Sequence, residues 1–152
     1  MTSFPLSPFM ARALVLAREA QAADEVPIGA VVVQAGQIIG EGQNRTRRDR
    51  DPTAHAEIVA IRAAAQALGN DRLTDCDLWV TLEPCPMCAG AIAHARIGRL
   101  YYGASDPKGG GVEHGARVFT HPTCHHRPDI YEGMGADDAS QLLRAFFEAR
   151  RP

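Results

Sequence analysis

Apolar positions along the chain change period from segment to segment, and each period predicts an element. Between Ser7 and Ala23, the residues Phe9, Ala13, Leu16, Ala17 and Ala20 recur on one helical face, with Ser7 placed to cap and Pro8 suited to the first turn. That face is expected to pack on a sheet. Ile28–Gln34 is a β-branched run, Ala35-Gly36 a turn and Gln37–Glu41 a second strand, which together predict a hairpin. After a polar stretch, Gln43–Thr53, Thr53 is expected to cap a helix over Ala54–Leu68 that Gly69-Asn70 closes. Leu78–Leu82 predicts a buried strand, Ala89–Ala95 a helix of small residues, and Arg99–Gly103 another strand. Asp106–Gly111 is a glycine-rich loop and Val112–Met134 carries little periodicity. Ala139–Arg150, with Leu142, Leu143, Phe146 and Phe147, predicts a final amphipathic helix. Strands alternating with helices predict an α/β sheet covered on both faces, and with no repeat or linker in view residues 1–152 read as one domain.

Composition narrows the class without naming a task. Of the 152 residues, 45% are hydrophobic and 22% charged, ordinary globular values that exclude a disordered or fibrous chain. No apolar run approaches the roughly 20 residues needed to span a bilayer, and the N-terminus lacks a signal-type stretch, so a cytoplasmic protein without a membrane partner is expected. The net charge of −2 excludes a uniformly basic surface, so any nucleic-acid contact must be local. Two basic groups qualify: Arg45, Arg47, Arg48 and Arg50 in the polar stretch, and Arg150 with Arg151 after the last helix.

The chemistry concentrates in two short segments. Cys85 and Cys88 form a Cys-x-x-Cys pair which, in a reducing compartment, favours metal binding or redox work over a structural disulfide. His55-Ala56-Glu57 and Pro84-Cys85-Pro86-Met87-Cys88 together match the signature of the zinc deaminases. Three protein ligands, His55, Cys85 and Cys88, would hold one zinc ion per chain and leave its fourth position open, as catalytic sites require. Glu57 stands two residues from His55, off its helical face, and is free to move protons as general acid and base. A closed zinc knot remains an alternative, with Cys76, Cys124, His121, His125 or His126 as fourth ligand in a noncatalytic module.

With these residues in place, the chain resembles the bacterial tRNA adenosine deaminases of the cytidine-deaminase-like superfamily over nearly its whole length. The resemblance is carried by Glu25-Val26-Pro27-Ile28-Gly29-Ala30-Val31, Gly42-Gln43-Asn44-Arg45, Thr53-Ala54-His55-Ala56-Glu57, Thr81-Leu82-Glu83-Pro84-Cys85-Pro86-Met87-Cys88-Ala89-Gly90-Ala91 and Tyr102-Gly103-Ala104-Ser105-Asp106-Pro107-Lys108. It implies a three-layer α/β/α sandwich with a central five-stranded mixed sheet, usually a homodimer, and conversion of adenosine to inosine at the wobble position of a tRNA anticodon stem-loop. It further implies that Asn44 hydrogen-bonds the flipped nucleoside, that the Ala56 amide faces the base edge, and that Pro27 and Ile28 wall the pocket. Asp106 would reach the sugar or adjoining backbone. Phe146, Phe147, Arg150 and Arg151 would hold the anticodon loop by stacking and phosphate contact. A deaminase of a free base or nucleoside, such as guanine or cytosine, would share the core signature.

Overall fold

A computed structural model describes residues 6–150. Ser7 caps α1 (Pro8–Ala22), its hydroxyl accepting from the Phe9 amide at 3.2 Å, and Met10, Ala13, Leu14, Leu16, Ala17 and Ala20 form the buried face. β1 (Gly29–Gln34) turns through Ala35 and Gly36, both at positive φ, into β2 (Gln37–Gln43). α2 (Ala56–Leu68) ends on Gly69 in the left-handed conformation. Then follow β3 (Cys76–Leu82), α3 (Pro86–Ala95), β4 (Arg99–Ala104), a short 3-10 turn over Val118–Thr120, β5 (Asp129–Tyr131) and α4 (Ala136–Glu148).

Several boundaries differ from the sequence pattern for local reasons. Thr53 does not cap α2: its amide and hydroxyl both turn back to Asp51 Oδ1, at 2.9 and 2.7 Å, and His55 takes the cap position instead. α3 begins at Pro86, earlier than Ala89, because proline suits the first helical position where no N–H is needed. β5 lies in the stretch without periodicity. It is only three residues long, borders β4 alone and is partly exposed, too little for an alternation to show.

The strands lie in the order β2-β1-β3-β4-β5. β1 runs antiparallel to β2 and β3, while β4 and β5 run parallel to β3, so the sheet is mixed. Alternation sorts the side chains onto its two faces. Ala30, Val32, Leu78, Val80, Leu100 and Tyr102 pack with Ala56, Ala60 and Ala64 of α2 and Ala89 and Ile92 of α3. Val31, Val33 and Trp79 pack with Met10, Ala13, Leu14 and Leu16 of α1 and Ala139 of α4, and Ala104, at the last position of β4, joins them out of step with the alternation. The result is the expected α/β/α sandwich. No helix among the described residues is long and apolar enough to cross a membrane.

Two glycines set how closely α2 approaches the sheet. A Cβ on Gly40 would stand 2.5 Å from the Ala60 carbonyl oxygen, and one on Gly42 would overlap the Ala56 carbonyl oxygen. The first turn of α2 is therefore held against β2. Beside it the parallel strands β3 and β4 end at Leu82 and Ala104, and the crevice beyond such strand ends is where open α/β sheets bind ligands.

Candidate active site

The site is assembled from the starts of two helices and two loops. His55 caps α2 and Cys85 caps α3, both in extended backbone, and Cys88 lies in the first turn of α3. Cys85 Sγ and Cys88 Sγ stand 3.6 and 3.5 Å from His55 Nδ1, and the three donor atoms all lie within 4.8 Å of one another. One imidazole nitrogen and two sulfurs converging this closely form a donor set that fits zinc with a position left open. Three of the knot's other candidate ligands are engaged elsewhere. The Cys124 thiol donates to the His126 carbonyl oxygen at 3.2 Å, the His126 and His121 rings meet the Ile97 and Ala116 carbonyl oxygens at 2.6 and 2.7 Å, and no fourth ligand joins the cluster among the described residues. A closed four-ligand module is not what these residues build.

The electrostatics agree with the donor set. Cys85 is lowered to about 4, chiefly because the Cys88 thiol donates to it, with His55 adding to the effect against burial. Cys88 is correspondingly driven up, first by Cys85 and then by burial. Both sulfurs would ligate a cation as thiolates, so binding would release a proton from Cys88. Glu57 is 4% exposed, and burial raises its carboxyl to about 7.

Around this cluster lies a pocket of 430 Å³ whose lining includes Val26, Ile28, Leu82, Ser105, Asp106, Gly109, Leu143 and Phe147 together with His55, Glu57, Glu83 and Cys85. Ile28 reaches the lining, whereas Pro27 is buried and does not. Ala56 is wholly buried at the first position of α2. Asn44 is 6% exposed, and its amide N–H donates to the Ile28 carbonyl oxygen at 3.1 Å, which sets it beside the pocket wall. Asp106 acts as a loop cap, its Oδ1 accepting from the Lys108 and Gly109 amides at 3.2 and 2.9 Å. Asp106, Gly109, Leu143 and Phe147 also line an adjoining outer groove of 940 Å³, together with Lys108, Arg144, Glu148 and Arg150.

The structure separates the paired residues of α4. Phe146 is 4% exposed, while Phe147 is half exposed and stands edge-on to it at 5.3 Å. The Arg150 guanidinium covers the Phe146 ring, 3.5 Å from its centroid, and also donates to Asp24 and to the Phe146 carbonyl oxygen. Arg151 lies outside the described residues. In the other basic group, Arg45, Arg47 and Arg48 pair with Asp49, Asp24 and Glu25.

Sequence reasoning assigned no role to two buried carboxylates. Glu25, 1% exposed, accepts from the Arg47 and Arg48 amides at 3.2 and 2.8 Å and so holds the loop that carries Asn44. Glu83, 2% exposed, accepts from the loop that carries Asp106. Burial pushes Glu83 up, yet the amides of Asp106, His114 and Val112 and the His114 ring together hold it below the usual carboxylate range. For Glu83 the available signal was a charged residue closing an apolar strand, since buried charge requires a full set of partners.

With this geometry the comparisons with known proteins agree. The sequence profile of the MafB19-like deaminases matches residues 7–151. A tRNA-specific adenosine deaminase from Agrobacterium fabrum is 59% identical over 94% of both chains. The chain belongs to the tRNA-specific adenosine deaminase family. A solved tRNA:A34 deaminase, from work on A-to-I editing at the wobble position of transfer RNA, is 59% identical with a TM-score of 0.88 over 89% of this chain and 98% of that one. The guanine deaminase of Nitrosomonas europaea shares the fold at 27% identity, with a TM-score of 0.75 over 95% of this chain and 86% of that one. The family's fold is thus common to enzymes of different substrates, and the outer groove bears on which one this chain takes.

Proposed function

We propose that this chain is a zinc-dependent hydrolytic deaminase that converts adenosine to inosine at the wobble position of a tRNA anticodon. The observation that carries the choice of substrate is that the 430 Å³ pocket is flanked by a 940 Å³ groove with which it shares Asp106, Gly109, Leu143 and Phe147 as lining. A free base needs only the inner pocket. A nucleotide extruded from an anticodon loop needs both, with cationic side chains along the outer part.

His55, Cys85 and Cys88 would hold the metal, one per chain, and when bound the zinc acidifies water and supplies a nucleophile at neutral pH. Glu57 takes the proton of the attacking water as oxygen bonds to C6 of adenine, and delivers it to ring N1. It then carries the second proton to the departing amine, which leaves as ammonia and yields inosine. A carboxyl raised to about 7 by burial suits a group that must both accept and return a proton near neutral pH. Asn44 and the Ala56 amide would orient the nucleoside, Ile28 would wall the base, and Asp106 would meet the sugar side. Phe147 supplies a half-exposed stacking face at the rim. Arg150, and Arg151 beyond it, would meet phosphate, Arg150 at the cost of its contact with Asp24.

A homodimer completes the reading. Its support is the exposed side of α3, where Met87 is 38% exposed and a Cβ on Gly90 would meet nothing, leaving room for a second copy. A tRNA substrate would place the enzyme in the cytoplasm. The deciding experiment incubates purified tRNA with the zinc-loaded protein, digests it to nucleosides and measures inosine by mass spectrometry. Inosine should appear from tRNA, with little turnover of free adenosine, guanine or cytidine; turnover of free guanine at an equal rate would transfer the assignment to small substrates.

A further inference from the structure

We infer that Glu83 is a positioning residue, whose buried carboxylate gathers residues 106–114 so that Asp106 and Gly109 stand as one wall of the pocket. Oε1 accepts from the Asp106 amide at 3.0 Å and the His114 Nδ1–H at 2.8 Å. Oε2 accepts from three consecutive amides, those of Val112, Glu113 and His114, at 3.2, 3.0 and 3.1 Å. One side chain therefore pins both ends of the loop. These donors fill the roughly four lone-pair sites of a carboxylate, leaving none from which to accept a substrate proton, so the role is geometric.

The glycines of the loop make the arrangement close. A Cβ on Gly110 would overlap Glu83 Oε2, and one on Gly111 would stand 2.6 Å from the Pro86 nitrogen. The loop is thus wedged between Glu83 and the turn that carries Cys85. Gly109 in turn donates its amide to Asp106 Oδ1 at 2.9 Å, so the two residues that reach the pocket are linked to each other and to the carboxylate beneath them. An amide in place of the carboxylate would set its NH₂ against either two donors or three. Three successive N–H groups converging on one oxygen require an anion.

The inference rests on the deaminase reading for what the wall receives, and its test separates the two. His114→Ala, a half-exposed position whose change spares the core, removes one charge-assisted hydrogen bond. In the zinc-loaded enzyme it should raise KM for an anticodon stem-loop about tenfold while kcat changes less than about twofold. His114→Asn, whose amide can donate from near the place of Nδ1, should recover most of that KM. Glu83→Gln should raise KM at least about thirtyfold with zinc content unchanged, and the 112–114 amides should exchange hydrogen at least about tenfold faster. Parental KM in both His114→Ala and Glu83→Gln, or zinc lost in step with activity, would overturn the inference. A parent protein that forms no inosine refutes the deaminase reading instead, and amide exchange then decides the tether by itself.

Discussion

Glu57 and Glu83 are both carboxyl groups almost wholly removed from water, and their proton affinities move in opposite directions because their partners differ. Burial dominates at Glu57 and raises it to about 7, whereas at Glu83 converging N–H donors outweigh burial. The first is suited to moving protons and the second to holding a loop. Glu57→Gln keeps shape and loses the proton, so turnover should fall by a factor of about 100 to 10,000 or more while zinc content and RNA binding persist. If Glu57 served only as an acidic residue in the first turn of α2, the change would cost on the order of 1 kcal/mol of stability and leave turnover near parental. Single-turnover kinetics with metal analysis separates these outcomes. Cys88→Ala removes a wholly buried sulfur of the proposed zinc site, and the purified variant should lose both zinc and activity, read by atomic absorption and inosine formation.

At the scale of elements, the reactive groups are placed by how closely helices lie on the sheet. Gly42→Ala inserts a methyl where the Ala56 carbonyl oxygen stands, displacing the turn that presents His55 and Glu57. It should destabilise the fold by about 1–3 kcal/mol in a denaturant titration and lower kcat out of proportion to that loss. α4 carries a second contrast. Phe146→Ala empties a buried position and should cost about 3–5 kcal/mol of stability. Phe147→Ala leaves stability near parental and should weaken stem-loop binding by about 1–3 kcal/mol, measured by fluorescence titration. Equal RNA affinity in Phe147→Ala and the parent would remove α4 from the RNA surface.

At the scale of the molecule, a net charge of −2 coexists with a groove in which Lys108, Arg144 and Arg150 outnumber Asp106 and Glu148, so any attraction for RNA would be local. Inosine formation at subsaturating stem-loop should therefore fall steeply as salt rises, since each phosphate contact releases counterions. Salt-independent rates would argue for a small neutral substrate. Much of this organisation was legible in the chain: the period of each long element, Ser7 as a cap, and the two segments that carry His55, Glu57, Cys85 and Cys88. Those features depend on neighbours a few residues apart, where helical and strand spacing act directly.

What only the tertiary structure decided are the relations between distant residues. His55 meets Cys85 and Cys88 across 30 and 33 positions, and Glu83 meets the amides that surround it across 23 to 31. No local period encodes those approaches, because the packing of α2 and α3 on the sheet and the wedging of a glycine-rich loop bring them about. Phe146 and Phe147 show the same limit between adjacent residues. Both belong to an amphipathic segment, and the docking of α4 alone settled that one fills the interior and the other faces the groove. The sequence by itself determined which reactive residues the chain carries; the fold determined which carboxyl burial raises, which one backbone amides surround, and which aromatic ring is left exposed.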